Sequence, residues 1–219
     1  MRQKLAKASK ASIDGWGAQI GSEGVVTDWV ALDKFERSTS GKNPPRLASF
    51  RLPKGTEVDQ LYALIEFAES PRAGYDAIHH SAKKLTSKRP TQMTLGEIKT
   101  WIRATPGQHH AIGRFQVIPS TLASLQRRLR LPDTVTFNRA TQNKMAGVLL
   151  YDAGYQDFVA GDLTLSRFMD NLALIWAGFP KANGKSHYHG YAGNRATVTR
   201  AFFEKQMVRI FGAGDDKAS

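Results

Sequence analysis

The sequence predicts an α+β domain dominated by helix, with strand confined to one small β-hairpin. Three observations predict it. Apolar residues recur at helical spacing in segment after segment from Val58 onward. The residues ahead of those segments are of the capping type. One long polar stretch, "PRAGYDAIHHSAKKLTSKRPTQM", has no helical period and suits a hairpin or a long loop.

Residues 1–55 read differently from the rest. Lys4, Lys7 and Lys10 recur at a spacing of three, "GVVTDWVALDKF" suits a short strand or a helix, and "STSGKNPPR" has a loop composition. The expectation is an N-terminal extension over 1–55, a folded domain over 56–212 and a short tail over 213–219.

Thr56 and Asp59 form a start signal, and Val58, Leu61, Leu64, Ile65 and Ala68 then follow a helical period that Pro71 closes. Within "GYDAI" (residues 74–78) a short strand is expected. "TLGE", Thr94 to Glu97, is a second capping box and opens a helix through Trp101. "TPGQHHAIG" breaks that helix, and "PSTLASLQRRL" starts another. Asn138 is placed to cap a helix through Tyr151, with Gly154 as its stop. "LSRFMDNLALIWAGF" reads as the most buried helix, ended at Pro180. "KANGKSHYHGYAGN" is a loop, and Asn194 is expected to cap a last helix to Phe211, stopped by Gly212.

The chain has 219 residues, enough for one well-buried core. No apolar run approaches the ~20 residues of a membrane helix, and the basic start lacks the apolar core of a secretory signal. Without cysteine there is no disulfide framework and no thiol chemistry, which suits an oxidising compartment and the cytosol equally. A net charge of +12 draws the protein to polyanions: nucleic acid, an anionic membrane surface or the bacterial wall. The basic clusters, such as Arg127, Arg128 and Arg130, belong to no recognised nucleic-acid module, so no nucleic-acid partner is expected.

The segment "LIEFAES" carries the chemistry. It sets Glu66 and Glu69 in the last turn of an apolar helix. A helix C-terminus is partly negative, and apolar neighbours add desolvation; both disfavour an ionised carboxylate and raise its pKa. A carboxylic acid kept protonated near neutrality is what glycosidic cleavage needs. Glu69 shares a face with Ile65 and leads into the following loop, so it is the candidate acid, with Glu66 in a supporting place. A second candidate group is "HHAIGRFQVIPST": Gly113 allows close backbone approach, Phe115 offers a face for a sugar ring, and Gln116 offers donor and acceptor to an N-acetyl group. His109, His110, His187 and His189 lack the i,i+4 spacing of a helical metal pair and have no acidic ligand among them, so no metal is expected. No nucleophile elbow marks a Ser-His-Asp site.

The order of these pieces resembles the phage lambda lysozyme family of the lysozyme-like superfamily. A glutamate ends a helix, followed by "GYDAI", "IGRFQVIPST", "LALIWAGFP", a Tyr-rich loop and a final helix. The resemblance covers residues 57–211. It implies a lysozyme-like domain with Glu69 as the single catalytic acid and Tyr75 and Asp76 at the lip of the cleft. It implies that Gly113, Arg114, Phe115 and Gln116 correspond to the G-R-Y-Q motif of the cleft floor, with Phe in place of Tyr. Gly178 stands where Ser is more usual. Tyr188 matches the late-loop tyrosine, with Tyr191 as its rival.

The activity so implied is that of a peptidoglycan lytic transglycosylase, cutting the β-1,4 bond between N-acetylmuramic acid and N-acetylglucosamine without metal or cofactor. The alternatives are a hydrolysing muramidase, with Asp76 as second carboxylate, and a non-catalytic wall-binding or assembly module. The expected partners are peptidoglycan glycan strands and, as settings, a phage lysin or tail, a gene-transfer particle, or machinery for secretion or motility. The expectation is a monomer that acts on the periplasmic cell wall, reached through a holin or a dedicated machine or by way of a longer natural chain.

Overall fold

The structure, a computed structural model, describes residues 47–190 and 195–212. The lysine repeat, "GVVTDWVALDKF", Tyr191, Asn194 and the tail over 213–219 lie outside the described residues. The fold is mostly helical. Seven α-helices are present among the described residues: α1 (Glu57–Glu69), α2 (Leu95–Ala104), α3 (Pro119–Arg128), α4 (Arg139–Asp152), α5 (Tyr155–Ala160), α6 (Leu165–Ile175) and α7 (Arg200–Phe211). They fall into two compact units, one of residues 47–69 and 147–212, the other of residues 70–146.

In the first unit α1 packs on α7, and α6 packs on both α5 and α7. The α1 stripe is the one its spacing predicts: Leu61, Leu64 and Ile65 are fully buried. Thr56 and Asp59 cap the helix reciprocally, with each backbone N–H bonded to the other's side chain at 3.0 and 3.1 Å. Phe179 stacks flat on Phe203 at 4.0 Å between ring centres, and Phe158 on Phe168 at 4.6 Å. The fully buried rings of Phe168, Phe179 and Phe203 each contribute roughly 1.5–3 kcal/mol on burial. Phe50, within the stretch assigned to the extension, is buried against Phe67 and Phe202, at 4.8 and 5.8 Å.

Three helix boundaries differ from the sequence reading, the first being that of α2, which runs past Trp101 to Ala104, and one helix is added. α6 ends at Ile175, short of Pro180, because Trp176 is already extended and the chain turns there to run past the end of α1. α7 starts at Arg200, capped by the Thr199 hydroxyl, so the cap is Thr199 and not Asn194. The short α5 lies between Gly154 and Gly161, both with left-handed φ, where the sequence reading has only a stop at Gly154.

The second unit is built on α2, α3, the start of α4 and the loops between them, around Leu95, Ile98, Ile112, Leu122, Leu125 and Phe137. The Thr94–Glu97 capping box forms as read. The next amides of α2, at Leu95 and Gly96, donate to the carbonyls of Val135 and Asp133, both at 2.9 Å, so the helix start is satisfied by backbone.

The expected β-hairpin is replaced by isolated bridges, such as Ile78 with Ile112 and Ile112 with Val117. "GYDAI" is not a strand but a 3₁₀ turn over Gly74–Asp76, entered through the left-handed φ of Gly74. The physical reason is the fate of its carbonyls. Ala77 O accepts from the Gly113 amide within the single Ile78–Ile112 bridge, but Tyr75 O accepts from the Gln142 side chain, so the pairing does not run back over Tyr75.

Candidate functional site

Glu69 is the last residue of α1, in the first unit, and is partly buried. The Gly178 amide donates to its Oε1 at 2.7 Å. Burial raises its carboxyl pKa from 4.5 to about 7, against the opposing pull of that hydrogen bond. The group is therefore divided between acid and carboxylate near neutral pH. Glu66, one turn earlier, is also partly buried.

The chain reaches Glu69 with the Gly178 amide because nothing stands between their backbones. A Cβ on Gly178 would lie 2.6 Å from the Ala68 carbonyl oxygen and 2.9 Å from Thr197 Oγ1. Glycine at 178 is thus a requirement of this packing. The Thr197 hydroxyl donates to Ala68 O at 2.7 Å and reaches Gly178 O at 3.3 Å, while its amide donates to Gly178 O at 2.9 Å. Tyr188, in the same unit, is exposed; its hydroxyl donates to Leu174 O at 2.7 Å. Tyr191 lies outside the described residues.

The other candidate residues belong to the second unit and are drawn together by one side chain, Gln142, which is 1% exposed. Its Oε1 accepts from the Arg114 amide at 2.9 Å, and its Nε2 donates to Tyr75 O at 3.0 Å and Phe137 O at 2.9 Å. Gly113 has a left-handed φ, and a Cβ there would lie 2.4 Å from Gln142 Oε1, so only glycine lets the loop close onto the amide. Arg114 donates to the Tyr75 hydroxyl at 2.7 Å, and Tyr75 donates to Asn143 Oδ1 at 2.8 Å. The guanidinium groups of Arg114 and Arg139 lie 4.9 and 5.2 Å from the Tyr75 ring centre.

Gln116 has φ +47°, an unfavourable value for a non-glycine residue, and its Nε2 donates to Gly113 O at 2.9 Å. One of the amide hydrogens expected to serve an N-acetyl group is thus used inside the turn. Asp76 accepts from the Thr91 amide at 2.8 Å. Phe115 corrects the sequence reading: it is 2% exposed, a core side chain rather than an open face for a sugar ring. The alternation of the Ile112–Val117 turn sends its apolar side chains inward, and Phe115 goes with them.

The histidines divide among separate places. The His79 ring lies tilted against those of His80 and His109, with centres 4.4 and 4.5 Å away, and burial, with the two neighbouring imidazoles, lowers its pKa to about 4. His110 bonds Thr105 Oγ1 at 2.8 Å, and His187 lies edge-on to Tyr188. Among the described residues no group of three histidine or acidic side chains is arranged to hold a metal ion.

The sequence reading misses Gln142, Asn143 and Thr197. Gln142 left a signal: it sits four residues after the Asn138 cap and in phase with Met145, Ala146 and Leu149, an amide on an apolar stripe. Thr197 left none, since its partners are backbone atoms remote in sequence. No protein-family model, curated protein or solved structure matches the chain.

Proposed function

We propose that the protein is a peptidoglycan lytic transglycosylase with Glu69 as its general acid and base. The observation that carries this reading is the Glu69 carboxyl itself: partly buried at a helix end, bonded to the Gly178 amide, and held at a pKa of about 7. A group so poised can give a proton and take one back at the same pH, as a single-residue mechanism demands.

In that mechanism Glu69 protonates the glycosidic oxygen as the bond from the muramyl C1 breaks. The resulting carboxylate removes the proton from the muramyl C6 hydroxyl, whose oxygen closes on C1. The products are a 1,6-anhydromuramic acid end and a free N-acetylglucosamine 4-hydroxyl, and Glu69 is left protonated again. The Gly178 amide steadies the carboxylate between the two transfers. The charge of +12 supports the reading, because peptidoglycan carries peptide carboxylates and would retain a basic protein by screened attraction. No helix among the described residues is long and apolar enough to cross a membrane, and the proposed place of action is the periplasmic wall.

Mass spectrometry of muropeptides after digestion of isolated sacculi tests the proposal. Ends lighter by one water than reducing ends are expected. Reducing ends alone would replace the transglycosylase by a hydrolysing muramidase and bring Asp76 forward as the second carboxylate. No released muropeptide from several wall types would leave a non-catalytic wall-binding module.

A further inference from the structure

We propose that Thr197 is the positioning residue of the Glu69 site, holding the Gly178 peptide against the end of α1 and so fixing where the acid meets its backbone donor. The role rests on the reading of Glu69 as the acid; the geometry stands without it.

Two segments far apart in sequence must hold register for Gly178 to donate to Glu69. One is the last turn of α1, whose carbonyls have no helical partner. The other is the turn from Trp176 to Phe179, closed by the Phe179 amide donating to Trp176 O at 3.1 Å. Thr197 bonds both. Its hydroxyl donates to the Ala68 carbonyl, in the peptide that leads directly into Glu69, and its amide donates to the Gly178 carbonyl, which lies 3.3 Å from the same hydroxyl. The contact leaves no slack, since a Cβ on Gly178 would collide with both Ala68 O and Thr197 Oγ1. Neighbouring packing anchors the threonine: Val198 is buried and Thr199 caps α7. Removing the hydroxyl leaves Ala68 O without its donor; the Thr197 amide still holds the Gly178 carbonyl, but the tie between that peptide and the end of α1 is lost, and the Gly178 amide can shift against the carboxylate. The Gly178 bond favours the ionised acid, so its weakening moves the Glu69 titration upward.

The test uses Thr197→Val, which keeps the shape and removes the hydroxyl, and Thr197→Ser, which restores it. Glu69 is titrated by carbon NMR of glutamate labelled at the side-chain carboxyl, and kcat and KM are measured against pH on purified glycan strands. The expected result for Thr197→Val is a Glu69 midpoint above the wild-type value and a kcat lowered roughly 10–100-fold, the scale of a displaced catalytic group. KM is unchanged, and Thr197→Ser restores both quantities. A folded Thr197→Val protein with wild-type midpoint and kcat overturns the proposal. If that variant does not fold, the wild-type amide resonances decide. Gly178 and Thr197 should both shift with the Glu69 midpoint, and a silent Thr197 overturns the proposal. A midpoint that moves in Thr197→Val while the wild type cleaves nothing keeps the positioning and removes the catalytic reading. An unmoved midpoint, with cleavage lost in Glu69→Gln, does the reverse.

Discussion

The Gly178 amide and the Glu69 carboxylate meet at 2.7 Å across 109 residues of sequence. That bond opposes the burial of the acid, and the balance leaves the group titrating near neutrality. Burial pulls the group toward the protonated acid, and the Gly178 bond pulls it toward the carboxylate.

Replacing Glu69 by Gln keeps the shape and removes the proton. Release of muropeptides from sacculi should fall by a factor on the order of 10² or more, the scale of a lost general acid. Binding to sacculi, measured by co-sedimentation, should persist. Glu66→Gln should change cleavage far less; equal losses in both variants would remove Glu69 from the acid's role.

The raised pKa of Glu69 also makes a stability statement. The folded state holds the proton up to about pH 7, whereas the unfolded chain releases it near 4.5. Stability from this group is therefore fully present below about 4.5 and is lost as pH rises through 7. Glu69→Gln should leave stability nearly unchanged at pH 4 and raise it by up to ~3 kcal/mol at pH 8. Urea unfolding of both proteins across that range checks this; a pH-independent difference would contradict it.

His79 acts in the opposite sense. Its folded pKa of about 4 lies below the ordinary 6.5, because burial and two imidazole neighbours disfavour its charge. The stability it contributes is present above about 6.5 and is lost as pH falls toward 4. His79→Phe keeps a ring against His80 and His109 and should flatten this part of the acid unfolding profile. Proton NMR of the imidazole ring should give the wild-type midpoint well below that of an exposed histidine.

Gly178→Ser tests how closely the two segments are packed. Its Cβ would press on the Ala68 carbonyl and on Thr197 Oγ1. The variant should lose about 1–3 kcal/mol, the scale of overpacking, read by urea unfolding at pH 5. Wild-type stability would show that the two segments can part without penalty.

Gln142→Leu removes one buried amide and strands three backbone groups: the Arg114 amide and the carbonyls of Tyr75 and Phe137. A loss of at least ~2 kcal/mol is expected from unsatisfied buried polar groups. Hydrogen exchange at the Arg114 amide should rise with it, and unchanged protection there would remove Gln142 from its fastening role.

The helices were legible because their signals are local. Thr56 with Asp59, and Thr94 with Glu97, announce helix starts within four residues, and the α1 stripe follows its own period. The place of Glu69 at a helix end was legible for the same reason. The turn at Gly74–Asp76 was not, because what excludes a strand there is the Gln142 side chain, 67 residues away from Tyr75. Phe115 was misjudged because an aromatic residue in a loop looks the same in sequence whether it faces inward or outward. Thr197 was invisible because it bonds only backbone.

The fastening of the Tyr75 and Arg114 loops by Gln142 has a practical consequence. The bonds join a neutral amide to neutral peptide groups, and the amide is shut away from solvent. Added electrolyte screens charges on the surface but has no net charge to act on at this joint. A brine wash strong enough to detach this cationic protein from an anionic matrix should therefore leave the joint intact, so that material recovered by such a wash keeps its loop geometry.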